Sequence, residues 1–467
     1  MGRSRQLFAN RTLNLRSTRA IGYDLDYTLV HYHMAAWEER AYEHLRACLA
    51  EQDLPVFDLS FDPQLAAQGL VIDKARGNLV KANRFGYVKQ ASHGTRMLPW
   101  EEWRQVYTRT AVDLREPRWE FLNTLFSVSE TCMYLQLVDR LDTGKLHRVH
   151  GYPDLWHRVH SALSHAHAEG LLKEEILAEP DDFADLDPDV PLTLLDQRRA
   201  GKRVILITNS EYSYGSSILS FAMDRYLPEG ATWQDLFDVA FFAARKPHFF
   251  SSDMPVFRVV DDTGLLRPHV GPVEQGGLYV GGSAELVEQS FGLQGEDVLY
   301  VGDHVYTDVN VTKRVLRWRT ALVLRALEAE IDALEGFEMR QAELTRLMAA
   351  KVALDAEKAR LKLEAQRVVA GYGPPVHETA DQIHAALHDL RARIAGLDEQ
   401  ISPLAATSAH LVHPRWGPYM RTGGDKSHLA RQVERYADVY TSRVSNFLHA
   451  TPYAYLRSAR GSLPHDP

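Results

Sequence analysis

The chain has 467 residues, of which 45% are hydrophobic and 25% are charged, an ordinary globular composition in a chain too long for a single core. Its net charge of -9 argues against a general nucleic-acid-binding protein, which would carry a basic excess. Cys48 and Cys132 are its only cysteines, and no apolar run is long enough to cross a membrane. The composition therefore predicts a cytoplasmic protein of two or more subdomains, without a disulfide framework.

The first informative segment is a short apolar strand that ends in acids. Asp24 and Asp26 follow it, and Thr28 comes two residues later, in the pattern D-x-D-x-T. Strand residues two apart share a face, and a chain that turns after Asp24 can bring both carboxylates to one small site. By itself the pattern also fits an acidic turn that caps the next helix.

A long insertion follows this first strand. About 180 residues separate Asp26 from the next motif at Thr208, far too many for one crossover connection. This length predicts an inserted cap domain over residues 35–189. Apolar patterns within it predict structure as follows: helices over 37–51, 117–142 and 152–178, and β-rich chain over 67–92.

Three later segments resemble the first, because each brings polar side chains to the end of a strand or to a rigid turn. In an α/β sheet this is the edge at which ligands bind. The polar residues of these segments are Thr208, Asn209, Lys246, Asp303 and Asp308. Together with the first two acids, they are the groups required for phosphoryl transfer to an aspartate.

Each group can be given a role in that reaction. Asp24 would attack phosphorus in line and form an aspartyl-phosphate, while Asp26 would protonate the leaving alkoxide and then deprotonate the attacking water. Lys246 would place a positive charge on the transferring oxygens. Thr208 and Asn209 would bind phosphate oxygens.

The remaining acids predict a site for Mg²⁺. Asp24, Asp303 and the backbone carbonyl of Asp26 would form the oxygen-only ligand set that this ion prefers. Asp308 would orient metal-bound water from outside the ligand set.

The rest of the chain predicts one further domain and a C-terminal segment. A doubly wound, Rossmann-like α/β core would comprise residues 1–34 and 190–324, with a β insertion at about 250–282. Residues 325–405 have helical periodicity with one central break, which predicts a long helical hairpin. Residues 406–467 would pack back on the core.

These motifs resemble those of the haloacid dehalogenase (HAD) superfamily of phosphatases and, at closer range, the cytosolic purine 5′-nucleotidase family. The resemblance covers most of the chain and fails mainly at about 325–405. It implies hydrolysis of nucleoside 5′-monophosphates, purine nucleotides of the IMP or GMP type above all, with possible phosphate transfer to a second nucleoside. The matching segments are DLDYTL from Asp24, TNSEY from Thr208, ARKPHFF from Ala244, GDH from Gly302, GGS from Gly281, NTLF from Asn123 and QVERYAD from Gln432.

The resemblance also implies which cap residues select the substrate. Asn123 and Phe126 match an Asn-x-x-Phe segment that lies against the nucleotide, and His167 and Lys173 match base-contacting positions. Two more positions differ, because His160 and Ser164 stand where the family carries an Arg and an Asp. The exchange alters which exocyclic groups of a base find a partner.

Two other functions stay open on the sequence alone. The altered cap positions are also compatible with a HAD phosphatase for another small phosphomonoester, such as a sugar phosphate. A non-catalytic nucleotide-binding regulatory protein is the alternative from another class, although the complete set of acids and Lys246 argues against it. The expected partners are a small nucleotide and further copies of the chain, in a homodimer or homotetramer, with neither nucleic acid nor membrane.

Overall fold

The computed structural model describes residues 2–459, apart from the side chains of Leu125 and residues 167–169. The chain divides into two compact units, Met1–Glu328 with Tyr419–Pro467, and Ala329–Pro418. The helices are α1 (Met34–Glu51), α2 (Trp100–Tyr107), α3 (Val128–Asp142), α4 (Tyr152–Glu169), α5 (Leu171–Ala178), α6 (Pro180–Phe183), α7 (Asp189–Arg199), α8 (Tyr212–Met223), α9 (Ala284–Phe291), α10 (Leu327–Ala370), α11 (Ala380–Ala409), α12 (His428–Tyr436) and α13 (Asn446–Ala450). The strands are β1 (Phe8–Ala9), β2 (Leu13–Asn14), β3 (Ala20–Tyr23), β4 (His31–Tyr32), β5 (Val71–Asp73), β6 (Asn78–Ala82), β7 (Val88–His93), β8 (Arg96–Met97), β9 (Trp119–Phe121), β10 (Ala184–Asp185), β11 (Arg203–Ile207), β12 (Val239–Phe242), β13 (Val256–Val259), β14 (Leu266–Pro268), β15 (Gly277–Gly281), β16 (Val298–Gly302), β17 (Arg319–Val323), β18 (Arg421–Thr422), β19 (Asp425–Lys426), β20 (Val439–Thr441) and β21 (Tyr455–Leu456).

The larger unit contains a ten-stranded sheet in the order β1-β20-β17-β16-β3-β11-β12-β15-β13-β14. The seven strands from β20 to β15 are parallel. From β3 the chain moves outward through β11, β12 and β15, and then returns to the other side of β3 with β16, β17 and β20. This doubly wound order confirms the predicted fold class, and its switch point lies between β3 and β16, where open α/β sheets bind ligands.

The central strands are apolar because both faces of the sheet are covered. In β11, Val204 and Leu206 belong to the hydrophobic cluster on one face, while Ile205 and Ile207 belong to the cluster on the other. Side chains alternate between faces along a strand. Burying each such side chain contributes about 1.5–3 kcal/mol, so the strands that carry the site residues are firmly held.

The inserted segment begins and ends on a small ribbon. Strand β4 follows β3 at the start of the segment, and β10 lies at its end. The two strands pair antiparallel, with Tyr32 opposite Ala184. Between them lie α1 to α6 and a five-stranded antiparallel sheet in the order β8-β7-β6-β5-β9. This segment belongs to the same compact unit as the ten-stranded sheet, and the division into core and cap stays a prediction.

Two helices predicted in this segment were placed wrongly. The helix predicted over 117–142 begins only at Val128, because Trp119–Phe121 is strand β9 and pairs with β5. The helix predicted over 152–178 is two helices, α4 and α5, which are separated by Gly170 with φ of 76°. An apolar pattern that suits a helix also suits a short buried strand, so periodicity alone could not separate them.

The smaller unit is built from α10 and α11. Its buried cluster includes Leu361 from α10 and Ile383, Leu387 and Leu390 from α11. Thr379 and Gln382 cap the start of α11 reciprocally, as in a capping box. Helix α11 reaches Ala409, four residues beyond the hairpin limit expected at 405. Across residues 2–459, no helix combines the length and the apolar character that a membrane span requires.

Candidate active site

The two N-terminal acids lie on a tight turn directly after β3. The backbone N–H of Asp24 donates to Val301 in β16 at 2.9 Å, which anchors the start of the turn at the switch point. The carbonyl of Leu25 then accepts from the N–H groups of three residues, Thr28, Leu29 and Val30. The chain therefore reverses immediately after Asp24, as the sequence predicts, and Asp26 is carried on the same loop.

The second acidic segment follows β16, the other strand at the switch point. Asp308 lies in a short π-helical turn, Val305–Asn310, and its Oδ2 accepts from the N–H of His304 at 3.1 Å. A Cβ on Gly302 would stand 2.5 Å from this oxygen, a distance that forces a shift. Glycine at 302 is thus required for Asp308 to approach the strand end.

Three carboxylates meet between these loops. Ligand oxygens of Asp24, Asp303 and Asp308 all lie within 4.8 Å of one another, the one group of this kind among the described residues. Burial raises the pKa of Asp24 above its ordinary value, against the opposing effect of Lys246. Burial and then the charges of Asp24 and Asp308 raise the pKa of Asp303 well above its usual range. The site holds more negative charge than its protein groups neutralise.

Lys246 supplies the positive charge of the site. Its Nζ lies 2.7 Å from Asp24 Oδ1 and 2.9 Å from Asp308 Oδ1, and it donates to the Tyr300 hydroxyl at 3.1 Å. Burial alone would lower the pKa of Lys246, but the two carboxylates outweigh it and hold the pKa well above the ordinary value. The contact with Asp308 is an ion pair without hydrogen-bond geometry, since Asp308 Oδ1 accepts no hydrogen bond.

Thr208 and Asn209 follow β11, next to β3. The Thr208 N–H donates to Phe241 of β12, and its hydroxyl oxygen accepts from the Ser210 N–H at 3.0 Å. Asn209 bonds the main chain of Lys246 with both heteroatoms, since Oδ1 accepts from Lys246 N–H at 2.5 Å and Nδ2 donates to Lys246 O at 3.1 Å. The sequence assigned Asn209 to phosphate binding, and the structure adds that it holds Lys246 in position.

Asp26 accepts hydrogen bonds from two hydroxyl groups. Tyr32 donates to Asp26 Oδ1 at 2.6 Å, and Ser210 donates to Asp26 Oδ2 at 2.5 Å. Tyr32 is bonded in turn to the Tyr214 hydroxyl at 2.8 Å. Lys173, a predicted substrate residue, donates to Ser210 Oγ at 3.4 Å and lies over the Tyr214 ring. Lys173 of the inserted segment is thus linked to the Asp26 carboxylate through Ser210.

Asn123 also connects the inserted segment to the acidic site. Its Nδ2 lies 2.6 Å from His304 Nδ1, and its Oδ1 accepts from the Val305 N–H at 3.3 Å. Nδ1 of His304 also accepts from two backbone N–H groups, and burial lowers the pKa of His304 to about 4. His304 is therefore neutral, and Asn123 donates to it beside Asp303.

Phe126 packs against the catalytic loop. Its ring meets Tyr27 edge-on at 4.5 Å between centroids and Trp37 at 5.3 Å. The aromatic group is continuous with the hydrophobic cluster of the main sheet. Phe126 therefore contacts the residue next to Asp26, and its expected role against a base stays a prediction.

The other predicted substrate residues lie on or near α4. His160 Nδ1 is 2.6 Å from buried Glu130 Oε1, and its ring stacks on Trp156. Within the described residues, no hydrogen bond, ion pair or ring contact joins His160 or exposed Ser164 to the acidic cluster, and the side chain of His167 lies outside the described part. A cavity of about 490 Å³ adjoins His160, lined by Lys74, Ala75, Pro117, Arg118, Glu120, Pro153, Trp156, His157 and His160.

Sequence reasoning missed the residues that hold the catalytic groups. The tyrosines at 32, 214 and 300 were not predicted, because a sequence does not show which group a tyrosine hydroxyl contacts. Ser210 and His304 stand inside the motifs TNSEY and GDH, so their position next to a catalytic residue was a usable signal.

Comparison with known proteins identifies the family. The model of the 5′ nucleotidase family matches residues 7–467. The chain belongs to this family. As predicted, this 5′ nucleotidase family member is a phosphoric monoester hydrolase.

Individual relatives are similar over most of their length. A 5′-nucleotidase domain-containing protein of Dictyostelium discoideum is 26% identical over 485 residues, covering 98% of this chain and 74% of that protein. The 5′-nucleotidase domain-containing protein 2 of Homo sapiens is 26% identical over 463 residues, covering 95% and 81%. Among solved structures, an archaeal β-phosphoglucomutase of a Pyrococcus species aligns with a TM-score of 0.31 and 9% identity, covering 66% of this chain and 86% of that one. A predicted phosphoglycolate phosphatase from Haemophilus somnus aligns with a TM-score of 0.28 and 14% identity, covering 66% and 85%.

Proposed function

We propose that this family member is a Mg²⁺-dependent 5′-nucleotidase, which hydrolyses nucleoside 5′-monophosphates through an aspartyl-phosphate on Asp24. The observation that carries the proposal is the separation of roles between the two acids of the first loop. Asp24 contacts the ammonium of Lys246, whereas Asp26 contacts only hydroxyl donors. One carboxylate thus faces the positive charge that phosphate requires, and the other is free to exchange a proton.

The contacts of Asp24 favour one of its oxygens as the nucleophile. Oδ1 is occupied by Lys246 and by the N–H of Leu25 at 2.8 Å, which leaves Oδ2 for attack on phosphorus. A bond then forms between Oδ2 and phosphorus while the ester bond breaks, and Asp26 gives its proton to the departing 5′-oxygen. Water hydrolyses the acyl phosphate in the second step, after Asp26 removes its proton.

The acidic cluster fits a divalent cation. Asp303 forms no ion pair within the described part of the chain, and Asp308 Oδ1 is buried without a hydrogen bond. Carboxylate oxygens are the ligands that Mg²⁺ prefers. Asp24 and Asp303 would hold it together with the predicted carbonyl of Asp26, and Asp308 would lie beside them to orient metal-bound water. When bound, the ion would offset charge on the phosphate oxygens.

The inserted segment supports a nucleotide as the substrate. The chain around strand β9 connects the cavity at His160 to the acidic site. Arg118 and Glu120 line the cavity, and Asn123 bonds His304. Arg118 and Asn123 are five residues apart, and five extended residues span at most about 17 Å. This short separation supports a binding mode with the phosphate at Asp24 and the base at the cavity.

The hydrogen bond between His160 and Glu130 affects which base the cavity can bind. It raises the pKa of His160 above its ordinary value, so the imidazole can donate to a ligand through Nε2. Among purines, a donor at this point favours the carbonyl oxygen at position 6 of IMP and GMP over the amino group at position 6 of AMP. Base choice therefore rests on His160 in place of the Arg of related proteins.

The first experiment is phosphate release from IMP, GMP, AMP, UMP, CMP and several sugar phosphates, each with Mg²⁺ and with EDTA. We expect IMP and GMP to lead and EDTA to abolish turnover. A lead by sugar phosphates would overturn the nucleotide assignment, and binding of nucleotides without any turnover would favour the regulatory alternative. Adding a free nucleoside and measuring newly formed nucleotide tests phosphate transfer in the same assay.

A variant tests the covalent step. Asp24→Asn should lose turnover entirely while melting at a temperature close to that of the wild-type protein, because the side chain keeps its size but loses its nucleophilic charge. Asp262→Asn, in the exposed turn between β13 and β14, is the matched control and should keep full activity. Measurable turnover by the first variant would contradict the aspartyl-phosphate. Location in the cytoplasm and assembly into a homodimer or homotetramer complete the proposal.

A further inference from the structure

Asp26 is surrounded by groups that the reaction scheme above does not use. Tyr32, Ser210 and Tyr214 are each less than 5% exposed, and their hydroxyls form one connected chain with the Asp26 carboxylate. Buried hydroxyls that converge on an exchanging carboxylate can control where its proton goes. These hydrogen-bonded hydroxyls form two arms. One arm is Ser210 on Asp26 Oδ2, and the other is Tyr32 with Tyr214 on Asp26 Oδ1.

The arm through Ser210 has one direction only. The ammonium of Lys173 can only donate, so Ser210 Oγ accepts from it and must direct its own hydrogen to Asp26 Oδ2. This arm therefore suits the ionised form of Asp26, and it leaves Oδ1 as the oxygen on which a proton can reside.

The arm through Tyr32 can run in either direction. Either hydroxyl of the pair Tyr32 and Tyr214 can be the donor at 2.8 Å. With Asp26 ionised, Tyr214 donates to Tyr32 and Tyr32 donates to Oδ1. With the proton on Oδ1, Asp26 donates to Tyr32 and Tyr32 donates to Tyr214. Only hydroxyl hydrogens turn, and no heavy atom has to move.

We propose that Tyr32 is a positioning residue, which holds the Asp26 carboxylate in place through a hydrogen bond that its contact with Tyr214 allows to run in either direction. The hydroxyl of Tyr32 is buried, and an unpaired buried polar group is unfavourable, so a contact with Tyr214 that can reverse lets this hydroxyl stay paired whichever of Asp26 and Tyr32 is the donor. The proposal rests on the proposed function, because it needs Asp26 to act first as an acid and then as a base.

The place of Tyr32 in the fold suits this role. It lies on β4, opposite Ala184 of β10, where the chain leaves the core and returns to it. Its ring meets Tyr27 edge-on at 5.3 Å and Trp37 at 4.5 Å between centroids. The ring is thus fixed by packing that does not involve the hydroxyl, so Tyr32→Phe removes the hydrogen bond and leaves the aromatic contacts.

The test compares two leaving groups. A nucleoside 5′-monophosphate has an alkoxide leaving group that needs a proton, whereas p-nitrophenyl phosphate has a phenolate that leaves without one. For Tyr32→Phe we expect kcat on the nucleotide to fall about tenfold or more, within the range that acid catalysis contributes. With p-nitrophenyl phosphate, release of the first equivalent of p-nitrophenol should stay fast and later turnover should slow, because water attack still needs Asp26 as a base.

Two controls separate this role from a loss of structure. Tyr42→Phe also removes a buried hydroxyl hydrogen bond, the one from Tyr42 to Gln136, and should affect neither substrate. Tyr214→Phe should show the same division between leaving groups as Tyr32→Phe, in milder form.

The outcomes are distinguishable. If Tyr32→Phe slows the release of the first equivalent of p-nitrophenol as much as it slows turnover of the nucleotide, or slows neither substrate, the positioning role is overturned while the proposed function stands. No turnover of any phosphomonoester by the wild-type protein would remove the proposed function itself. Preserved melting temperature together with a division between leaving groups supports the inference.

Discussion

Lys246 depends on a residue that takes no part in the chemistry. Its ammonium has three neighbours, of which two are the carboxylates of Asp24 and Asp308 and the third is the neutral hydroxyl of Tyr300. That hydroxyl donates in turn to the carbonyl of Ile207 at 3.1 Å, the last residue before Thr208. Tyr300 thereby links Lys246 to the strand that carries the phosphate-binding loop.

Tyr300→Phe should weaken catalysis without abolishing it. The variant leaves Lys246 attached to both acids but free to shift along them, and we expect kcat to fall about tenfold, which corresponds to about 1.4 kcal/mol in the barrier. Steady-state kinetics on the preferred nucleotide would measure this loss. Tyr279→Phe is the matched control, because Tyr279 is equally buried in the same hydrophobic cluster and its hydroxyl bonds Glu274 N–H. A similar loss of kcat in both variants would contradict a specific role of Tyr300.

That the proposed catalytic residues lie together was predictable from their types and their order along the chain. Asp24, Asp303 and Lys246 come after strands or at a turn that the apolar pattern reveals, and strand ends of a parallel sheet meet at one edge. Tyr32 and Tyr300 could not be predicted in this way. Their hydroxyls contribute through long-range contacts, which depend on rotamers and on strand register that no local pattern encodes.

At the scale of elements, one buried acid joins two helices of the inserted segment. Glu38 in α1 is fully buried, and its Oε2 accepts from the N–H of Ser129 in the first turn of α3 at 2.6 Å. A carboxylate near a helix N-terminus is favourable, but Oε1 has no hydrogen-bond partner. Burial raises the pKa of Glu38 from its ordinary value of 4.5 to about 8, so the folded protein holds this proton more tightly than the unfolded chain.

Glu38→Gln should remove part of the pH dependence of stability. Between pH 4.5 and 8 the folded state binds the Glu38 proton and the unfolded state does not, so this group loses its stabilising effect as the pH rises through that range. Each pKa unit is about 1.4 kcal/mol, and we expect the variant to gain a few kcal/mol of unfolding free energy relative to the wild type between pH 6 and 9. Denaturant unfolding at both pH values measures this change, with Glu39→Gln at the exposed neighbouring position as the control. A constant difference between variant and wild type at both pH values would show that Glu38 does not titrate in this way.

At the scale of the whole molecule, the order of strands explains why distant segments form one site. Strands β3 and β16 are separated in sequence by the whole inserted segment and by β11, β12 and β15, yet they are neighbours at the point where the sheet changes direction. Four short motifs and the family resemblance predicted the doubly wound fold class, but not the order of the strands. Strand β9 was not predictable, because its pairing with β5 decides it rather than local preference. The break at Gly170 had a local signal, since glycine readily adopts the positive φ that ends a helix.

The two compact units should respond separately to mutation. All proposed catalytic residues belong to the larger unit, whereas Leu390 is 2% exposed in the buried cluster of the smaller one. Leu390→Asp places an unpaired charge in that cluster, a change that costs several kcal/mol. We therefore expect α10 and α11 to lose their helical structure at a lower temperature than in the wild type. The value of kcat should stay within about twofold, far less than the tenfold loss expected when one contact in the active site is removed. Circular dichroism and turnover, measured on the same samples over temperature, test this, with Ala392→Asp on the exposed face of α11 as the control. Loss of activity in step with loss of the helical signal would mean that the hairpin supports the active site, which would contradict the expectation that the two units respond separately.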